Sequence, residues 1–271
     1  MNTYITQSKL QRLTGVILFI LITGCINVER GSYPPFIKAA LDGSISETDS
    51  LLREGEFVSQ TTIGNQTALH VAAAEGRNEM VKWLLAREAN PFAQDQNGKT
   101  PADFARNQGH TDTEKIILDY IQVIQDEETA IANGDIEKLR ELLANDYRKY
   151  TVLHVFAQNG DIEGMKAEIE AGADVNARTA PEVTPLHKAT ITDQHEAATL
   201  LIENGADVNA VDVWNNPPIY YAVLRDNPDM VRLFLDAGAE IDFRSAFDDE
   251  TVLEYAERKG NAEIIQMMKD K

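Results

Sequence analysis

The sequence is poor in cysteine, and this scarcity excludes two kinds of site. Its 271 residues include one cysteine, Cys25. A single cysteine cannot form an internal disulfide, and no CxxC motif or Cys/His cluster is present that could bind zinc. A disulfide scaffold and a thiolate metal centre are therefore excluded.

Positive charge is also scarce. Lys and Arg total 25 against 44 Asp and Glu, which gives a formal net charge of −19. Nucleic acid phosphates and anionic lipids would repel such an acidic chain. Aromatic residues make up only 7% of the sequence, but 43% of it is hydrophobic, which is enough for a folded protein. A partner steered by electrostatics is expected to be basic.

The apolar run near the N terminus is short. Residues 15–22 read GVILFILI, whereas a membrane-spanning helix needs about 18 or more apolar residues. Lys9 and Arg12 precede this run, as in a secretory signal peptide. The run ends in Ile22-Thr23-Gly24-Cys25, which resembles the lipobox of bacterial lipoproteins.

The lipobox resemblance implies that Cys25 is lipidated and that the chain is cut just before it. Residues 1–24 would then be a signal peptide and residues 25–32 a short tether. Cleavage would remove Lys9 and Arg12, which leaves a net charge of −21. Because Ile26 is not Asp, the resemblance favours the periplasmic side of the outer membrane. A plain N-terminal anchor with an incidental cysteine is the alternative.

Two sequence blocks recur along the rest of the chain, with a period of 33 residues from 34 to 100 and again from 151 to 217. The first block reads TALH at 67–70, TVLH at 151–154 and TPLH at 184–187. The second reads GADVNA at 172–177 and 205–210 and GAEID at 238–242. The period and both blocks resemble ankyrin repeats.

This resemblance implies an all-α fold over residues 33–271, an ankyrin-repeat solenoid of about eight helix-turn-helix units with projecting β-hairpin loops. One such unit cannot bury its own apolar face, so neighbouring units must stack. The repeats start near 34, 67, 100, 125, 151, 184, 217 and 251.

The residues of one unit support this prediction independently of the family. Thr184 is a suitable N-cap, and Pro185 suits the first helical position. Leu186 begins an apolar face, and Gly205 suits the left-handed end of the second helix.

The spacing of the starts falls to 25 and 26 residues between 100 and 151. The second helix of the third unit, 113–124, should run almost directly into 126–133. The projecting loops of this region should therefore be short or absent. The interruption is either a bend or a boundary between two halves.

No catalytic constellation is present in the sequence. His70, His154 and His187 share one repeat position, too far apart for a common metal ion. In ankyrin repeats this histidine braces the loop by hydrogen bonds, which is the favoured interpretation. No Walker loop, GxGxxG or GxSxG motif occurs. No cofactor is expected, and an enzyme is a remote alternative.

The projecting loops, called fingers here, carry the predicted binding site. Full fingers are expected at 178–183, 211–216 and 244–250. Trp214 lies at a predicted tip, either as an interface anchor or folded over its own hairpin. Trp83 has a core-like spacing and is predicted to be buried. The predicted partner contacts are Arg178, Glu182, Val213, Trp214, Asn215, Arg244 and Phe247.

The sequence thus predicts a monomeric, non-catalytic protein-binding module with a basic protein partner. The alternative is a periplasmic inhibitor or immunity protein that neutralises a toxin or an enzyme.

Overall fold

The computed structural model describes residues 33–144 and 146–271. These residues form two compact units, divided between Tyr150 and Thr151. The predicted signal peptide, Cys25 and the tether lie outside the described residues. The division falls where the fifth repeat is predicted to begin.

The N-terminal unit, 33–150, is built from helix pairs. The first helix of a repeat packs against its own second helix and against the first helix of the next repeat. The helices are α1 (Pro35–Asp42), α2 (Ile45–Arg53), α3 (Ala68–Ala74), α4 (Asn78–Ala86), α5 (Pro101–Asn107), α6 (Thr111–Asn133) and α7 (Ile136–Leu143).

Helix α6 interrupts the repeat as the short spacing predicts. It runs for 23 residues and combines the second helix of the third repeat with the first helix of the fourth. It ends at Gly134, whose φ of +66° is a left-handed conformation that glycine adopts easily. No finger interrupts this continuous helix, which confirms the predicted loss of the projecting loop.

A buried ionic cluster closes the end of the N-terminal unit. The Arg148 guanidinium pairs with Glu127 on α6 and lies 2.6 Å from a carboxylate oxygen of Asp146. It also lies over the Tyr150 ring at 4.8 Å. The Tyr150 hydroxyl donates a hydrogen bond of 2.7 Å to Glu88. Burial raises the pKa of Glu127 and of Asp146, which Arg148 partly offsets.

The C-terminal unit, 151–271, repeats more regularly. Its helices are α8 (Val152–Asn159), α9 (Ile162–Glu170), α10 (Pro185–Ile191), α11 (His195–Glu203), α12 (Pro218–Leu224), α13 (Pro228–Asp236), α14 (Val252–Lys259) and α15 (Ala262–Lys269). Successive first helices pack side by side. Among the second helices, α9 packs on α11 and α13 packs on α15.

Local cap chemistry explains where the first helices begin. The Thr184 hydroxyl accepts a hydrogen bond from the amide of His187, and Pro185 occupies the first turn of α10. Leu186 is fully buried, as the apolar spacing predicts. The helix starts at the position that the repeat predicts.

The core consists mainly of small and aliphatic side chains at the interfaces between helices. Ala39, Ala72 and Leu84 are almost fully buried in the N-terminal unit. Trp83, predicted to be buried, is only half-buried, which corrects that prediction. Its ring packs against Phe36 of α1 and is covered by the Arg87 guanidinium 3.8 Å away.

The fingers contain little regular β-structure. Among the described residues no strand forms, and two isolated antiparallel bridges close finger bases, Thr61 with Thr67 and Arg244 with Thr251. The projecting loops are therefore tight turns stabilised by side chains.

Candidate protein-binding surface

The repeated histidines are structural, which confirms the favoured interpretation. In the fifth repeat, the amide of Thr151 donates a hydrogen bond of 3.2 Å to Nδ1 of His154. The opposite ring nitrogen, Nε2, then donates to the Val183 carbonyl at 3.1 Å, 29 residues along the chain. The histidine thereby connects a helix cap to the base of the following finger.

His187 shows how firmly this position is held. It lies fully buried, and its Nε2 is 3.1 Å from the carbonyl of Asn216. Burial lowers the pKa of His187 to about 3. The ring therefore stays neutral near pH 7, as its hydrogen-bond pattern requires.

The three C-terminal fingers are bonded to one another. The amide of Val213 donates to the Pro181 carbonyl at 3.1 Å, and the amide of Ala246 donates to the Trp214 carbonyl at 2.9 Å. A corresponding bond in the N-terminal unit joins the amide of Gln96 to the Gly64 carbonyl at 2.9 Å. The fingers thus form a connected edge within their unit.

Arg178 and Glu182 belong to the first C-terminal finger. Arg178 donates from Nη1 to the Val211 carbonyl at 2.7 Å, so it bridges to the second finger. Its guanidinium also lies 3.8 Å from the Glu182 carboxylate. Both side chains remain partly exposed, so a partner can reach them.

Val213 is placed differently from the prediction. Its side chain is buried, and its amide is bonded to the first finger. This corrects its assignment as a direct contact, because a partner cannot reach a buried side chain. Val213 instead supports the finger that presents Trp214.

Trp214 is half-buried and packs against the next finger rather than over its own hairpin. Its ring centroid lies 5.4 Å from that of Phe247, at an interplanar angle of 34°. Its indole nitrogen is buried and has no hydrogen-bond acceptor among the described residues. The contact with Phe247, rather than a hydrogen bond, therefore positions the ring.

Asn215 and Arg244 connect the second and third fingers. Asn215 has a φ of +62°, which confirms that it occupies the position where glycine is usual. Its side-chain amide donates to the Arg244 carbonyl at 2.8 Å. The Arg244 guanidinium donates to the Asp249 carbonyl and lies 3.4 Å from Glu254.

Asp212, the buried carboxylate inside the second finger, is a residue of this surface that the sequence motifs did not predict. It accepts hydrogen bonds from the amides of Trp214 at 2.9 Å and Asn216 at 3.0 Å, and from the Tyr221 hydroxyl. Burial raises the pKa of Asp212 to about 7, although these donors favour the ionised form. A signal was available, since Asp95 and Asp146 likewise stand five residues before the cap of a first helix.

The described residues offer no metal centre and no spanning helix. Across 33–144 and 146–271, no group of three His, Cys, Asp or Glu side chains is arranged to hold a metal ion. No helix in that part of the chain is long and apolar enough to cross a membrane. Cys25, the predicted lipidation site, lies outside it.

Family models for ankyrin repeats match three segments of the chain. A three-copy model matches residues 128–212, and two many-copy models match 51–105 and 191–235. These matches confirm the ankyrin repeats that the sequence blocks predict. Ankyrin repeats typically serve as non-catalytic protein-interaction modules.

The curated relatives share repeat segments with this chain. The mitochondrial liver isoform of glutaminase from Mus musculus is 39% identical over 83 residues, which is 30% of this chain and 14% of that protein. Rabankyrin-5 from Mus musculus is 31% identical over 143 residues, or 46% of this chain and 12% of that protein. The chain thus spans a small fraction of the length of these relatives.

Among solved structures, the human ASB11 ankyrin repeat domain is similar at 21% identity and a TM-score of 0.40. The match covers 88% of this chain and 99% of that one.

Proposed function

Because the chain carries ankyrin repeats, we propose that it is a non-catalytic module that binds a basic protein through its C-terminal unit. The fingers and the first helices of this unit would form the contact surface. The proposed location is the bacterial envelope, with the chain held at the membrane by lipid on Cys25.

The charge of the C-terminal unit is the observation that carries this proposal. Residues 151–271 contain 10 Lys and Arg against 23 Asp and Glu, a net charge of −13. Residues 33–150 contain 12 against 20, a net charge of −8. The stronger field around the C-terminal unit would steer a basic protein towards it.

Much of this negative charge recurs at the repeat period on the second helices and the loops that follow them. These carboxylates are exposed, and Lys166, Arg232 and Lys269 are the basic residues on the helices that carry them. The exposed carboxylates are Glu163, Glu170, Asp174, Glu196, Glu203, Asp207, Asp229, Asp236, Glu240 and Glu263.

A capture experiment with the full chain tests the proposal. The chain, immobilised and exposed to envelope extract, should retain a basic protein in about 0.05 M NaCl and release most of it in about 0.5 M NaCl. Replacing Trp214 and Arg178 together by alanine should reduce capture, because it removes the half-exposed indole and the bond from Arg178 to Val211 that joins the first two fingers. The matched control, Ile63→Ala with Arg106→Ala, removes an exposed tip residue and an exposed arginine from the N-terminal unit.

Two results would contradict the proposed surface. One is capture that is unchanged by salt, and the other is capture that both double variants reduce equally. A retained protein that is not basic would contradict the proposed partner class.

The proposed anchor has its own test. Mass spectrometry of the mature N terminus should find an acylated Cys25 as the first residue. A chain that begins at Met1 without a lipid would contradict the anchor without affecting the binding surface.

An inhibitor would use the same contact surface, so its proposal needs a functional readout. The purified complex should be stoichiometric, and the captured basic protein should lose its activity in it. Unchanged partner activity, or normal fitness of a deletion strain beside sibling cells, would favour an adaptor instead.

A further inference from the structure

The tip of the second C-terminal finger differs from the other tips at the same position. Trp214 lies three residues before Pro217, the cap of its repeat's first helix. Among the described fingers, this position holds an aromatic residue in the second C-terminal finger alone. The other residues at this position are Gly64, Asn97, Arg148, Pro181 and Asp248.

Trp214 and Phe247 form a preorganised aromatic pair. Both rings are half-buried, so part of their surface remains open. The backbone bond from Ala246 to Trp214 and the side-chain bond from Asn215 to Arg244 fix the two fingers relative to each other. A surface held in this way loses little conformational entropy when a partner binds.

Carboxylates flank this pair on the first and third fingers. Glu182 and Asp249 occupy the left-handed tip position, with φ of +63° and +54°. The corresponding residues of the N-terminal unit are Asn65, Gly98 and Lys149, none of them acidic. Non-glycine residues are uncommon in this conformation, so two acidic side chains there are a distinctive feature of the C-terminal fingers.

These two carboxylates face arginines of their own fingers at long ion-pair distances. Glu182 lies 3.8 Å from Arg178, and Asp249 lies 3.9 Å from Arg244. The Asp249 side chain is 90% exposed. Exposed ion pairs of this kind are weak, so a cation from a partner can compete for the carboxylates.

We propose that the Trp214–Phe247 pair receives a lysine or arginine side chain of the partner, with Glu182 and Asp249 supplying the opposing charge. The cation would lie against the indole face, which attracts it through the ring quadrupole. This inference rests on the proposed function and specifies the partner group that the surface recognises. An apolar partner side chain would need the aromatic pair but not the carboxylates.

A charged peptide and its neutral isostere test the inference. The probes are fluorescein-labelled hexaarginine and hexacitrulline, and fluorescence anisotropy measures their affinity for the full chain. Hexaarginine should bind at least about tenfold more tightly than hexacitrulline. In a Trp83→Phe background, hexaarginine should also change the fluorescence of Trp214.

Matched variants separate this site from the general acidity of the unit. Glu182→Gln with Asp249→Asn should weaken hexaarginine binding about fivefold, and Trp214→Leu should weaken it by a similar factor. Glu203→Gln with Asp236→Asn removes the same charge from α11 and α13 and should change the affinity less than about twofold. Trp214→Phe should retain most of the binding, and circular dichroism should show that each variant is folded.

Three outcomes would overturn the inference. They are the absence of hexaarginine binding, equal binding of the two probes, and equal losses from the two carboxylate pairs. In the last case diffuse charge would explain the binding, and the proposed basic partner would stand while this site would not. A fourth outcome, loss of hexaarginine binding in Trp214→Leu without loss in Glu182→Gln with Asp249→Asn, would also overturn it, because the contact would then be apolar.

Discussion

The turn at 146–150 and the finger at 211–216 share one hydrogen-bond pattern, but their tip side chains lie in different environments. Asp146 accepts a hydrogen bond of 2.9 Å from the amide of Arg148, and Asp212 accepts one of 2.9 Å from the amide of Trp214. The Arg148 side chain then folds into a buried cluster. The Trp214 side chain remains half-exposed against a neighbouring finger.

The elements that precede each turn account for this difference. The finger at 211–216 follows another finger, so its backbone bonds to Pro181 and its tip lies beside similar turns. No finger precedes the turn at 146–150, because the uninterrupted helix α6 takes the place of one. Glu127 on that helix instead pairs with Arg148 and draws it inwards.

One turn motif can therefore either close a unit or leave an aromatic side chain half-exposed at its tip. Asp146 and Asp212 alone do not decide between the two roles. The decision depends on whether a preceding finger or a helix carrying a buried carboxylate meets the turn. Variants in the two turns should therefore affect different properties.

The largest expected effect is on the closing cluster. Arg148→Met should lower the free energy of unfolding of the N-terminal unit by about 3–5 kcal/mol, because Glu127 and Asp146 would remain buried without a counter-charge. Urea unfolding measures this loss of stability, and hydrogen exchange assigns it to residues 33–150. Arg140→Met is the matched control on an exposed arginine of α7 and should cost less than about 1 kcal/mol. Similar losses from both variants would show that the buried cluster does not stabilise the unit.

A second effect concerns pH and the buried carboxyl of the finger. The pKa of Asp212 is raised from 3.8 to about 7, so the folded state binds this proton more strongly than the unfolded state does. The contribution of Asp212 to the free energy of unfolding therefore falls as pH rises from about 3.8 to about 7. The pKa of His187 is lowered from 6.5 to about 3, so its contribution rises with pH over an overlapping range. The two dependences oppose each other in the native chain.

Asp212→Asn should remove the contribution of Asp212, so that the pH dependence of stability that His187 provides is no longer opposed. Relative to the unaltered chain, the stability of this variant should increase between about pH 4.5 and 7, by an amount on the order of 2–4 kcal/mol. Chemical denaturation at a series of pH values measures the difference. Asp95→Asn is the control, because hydrogen bonds from the amide of Lys99 and from Asn97 lower the pKa of Asp95. The difference in the free energy of unfolding between Asp95→Asn and the unaltered chain should not change with pH over this range. If this difference changed equally with pH for both variants, the assignment to Asp212 would be contradicted.

The smallest expected effect compares two left-handed tips. Lys149 has a φ of +58° and Asn215 a φ of +62°. Lys149→Gly should stabilise the chain by about 0.5–1 kcal/mol, because glycine adopts this conformation without strain. Asn215→Gly should be nearly neutral, since the relief of strain is offset by loss of the bond to Arg244. Thermal unfolding measures both changes, and stabilisation by both would show that the Asn215 bond contributes little.

Local chemistry made the helix starts predictable from the sequence. The Thr184 hydroxyl meets the amide of His187 only three residues away, so the cap needs no information about the rest of the fold. The continuous helix α6 was also predictable, since the shortened spacing leaves no room for a finger.

Contacts between repeats could not be predicted in the same way. The bond from Arg178 to Val211 and the packing of Trp214 on Phe247 each join residues about one repeat apart, and a single sequence does not specify side-chain directions over that distance. For this reason Val213 was predicted to contact the partner. Its side chain is buried, whereas that of the next residue, Trp214, is partly exposed. Partner contacts at Arg178, Glu182, Trp214, Asn215, Arg244 and Phe247 remain predictions.

The histidine bond that spans 29 residues also limits how the chain can change in length. His154 bonds to the carbonyl of Val183, and His187 bonds to that of Asn216, at the same point of the next repeat. Excision of residues 184–216 would place Pro217 directly after Val183 and leave the bond from His154 intact. A deletion of part of a repeat would separate a histidine ring from the carbonyl to which it bonds. Insertions and deletions that the C-terminal unit tolerates should therefore consist of whole repeats.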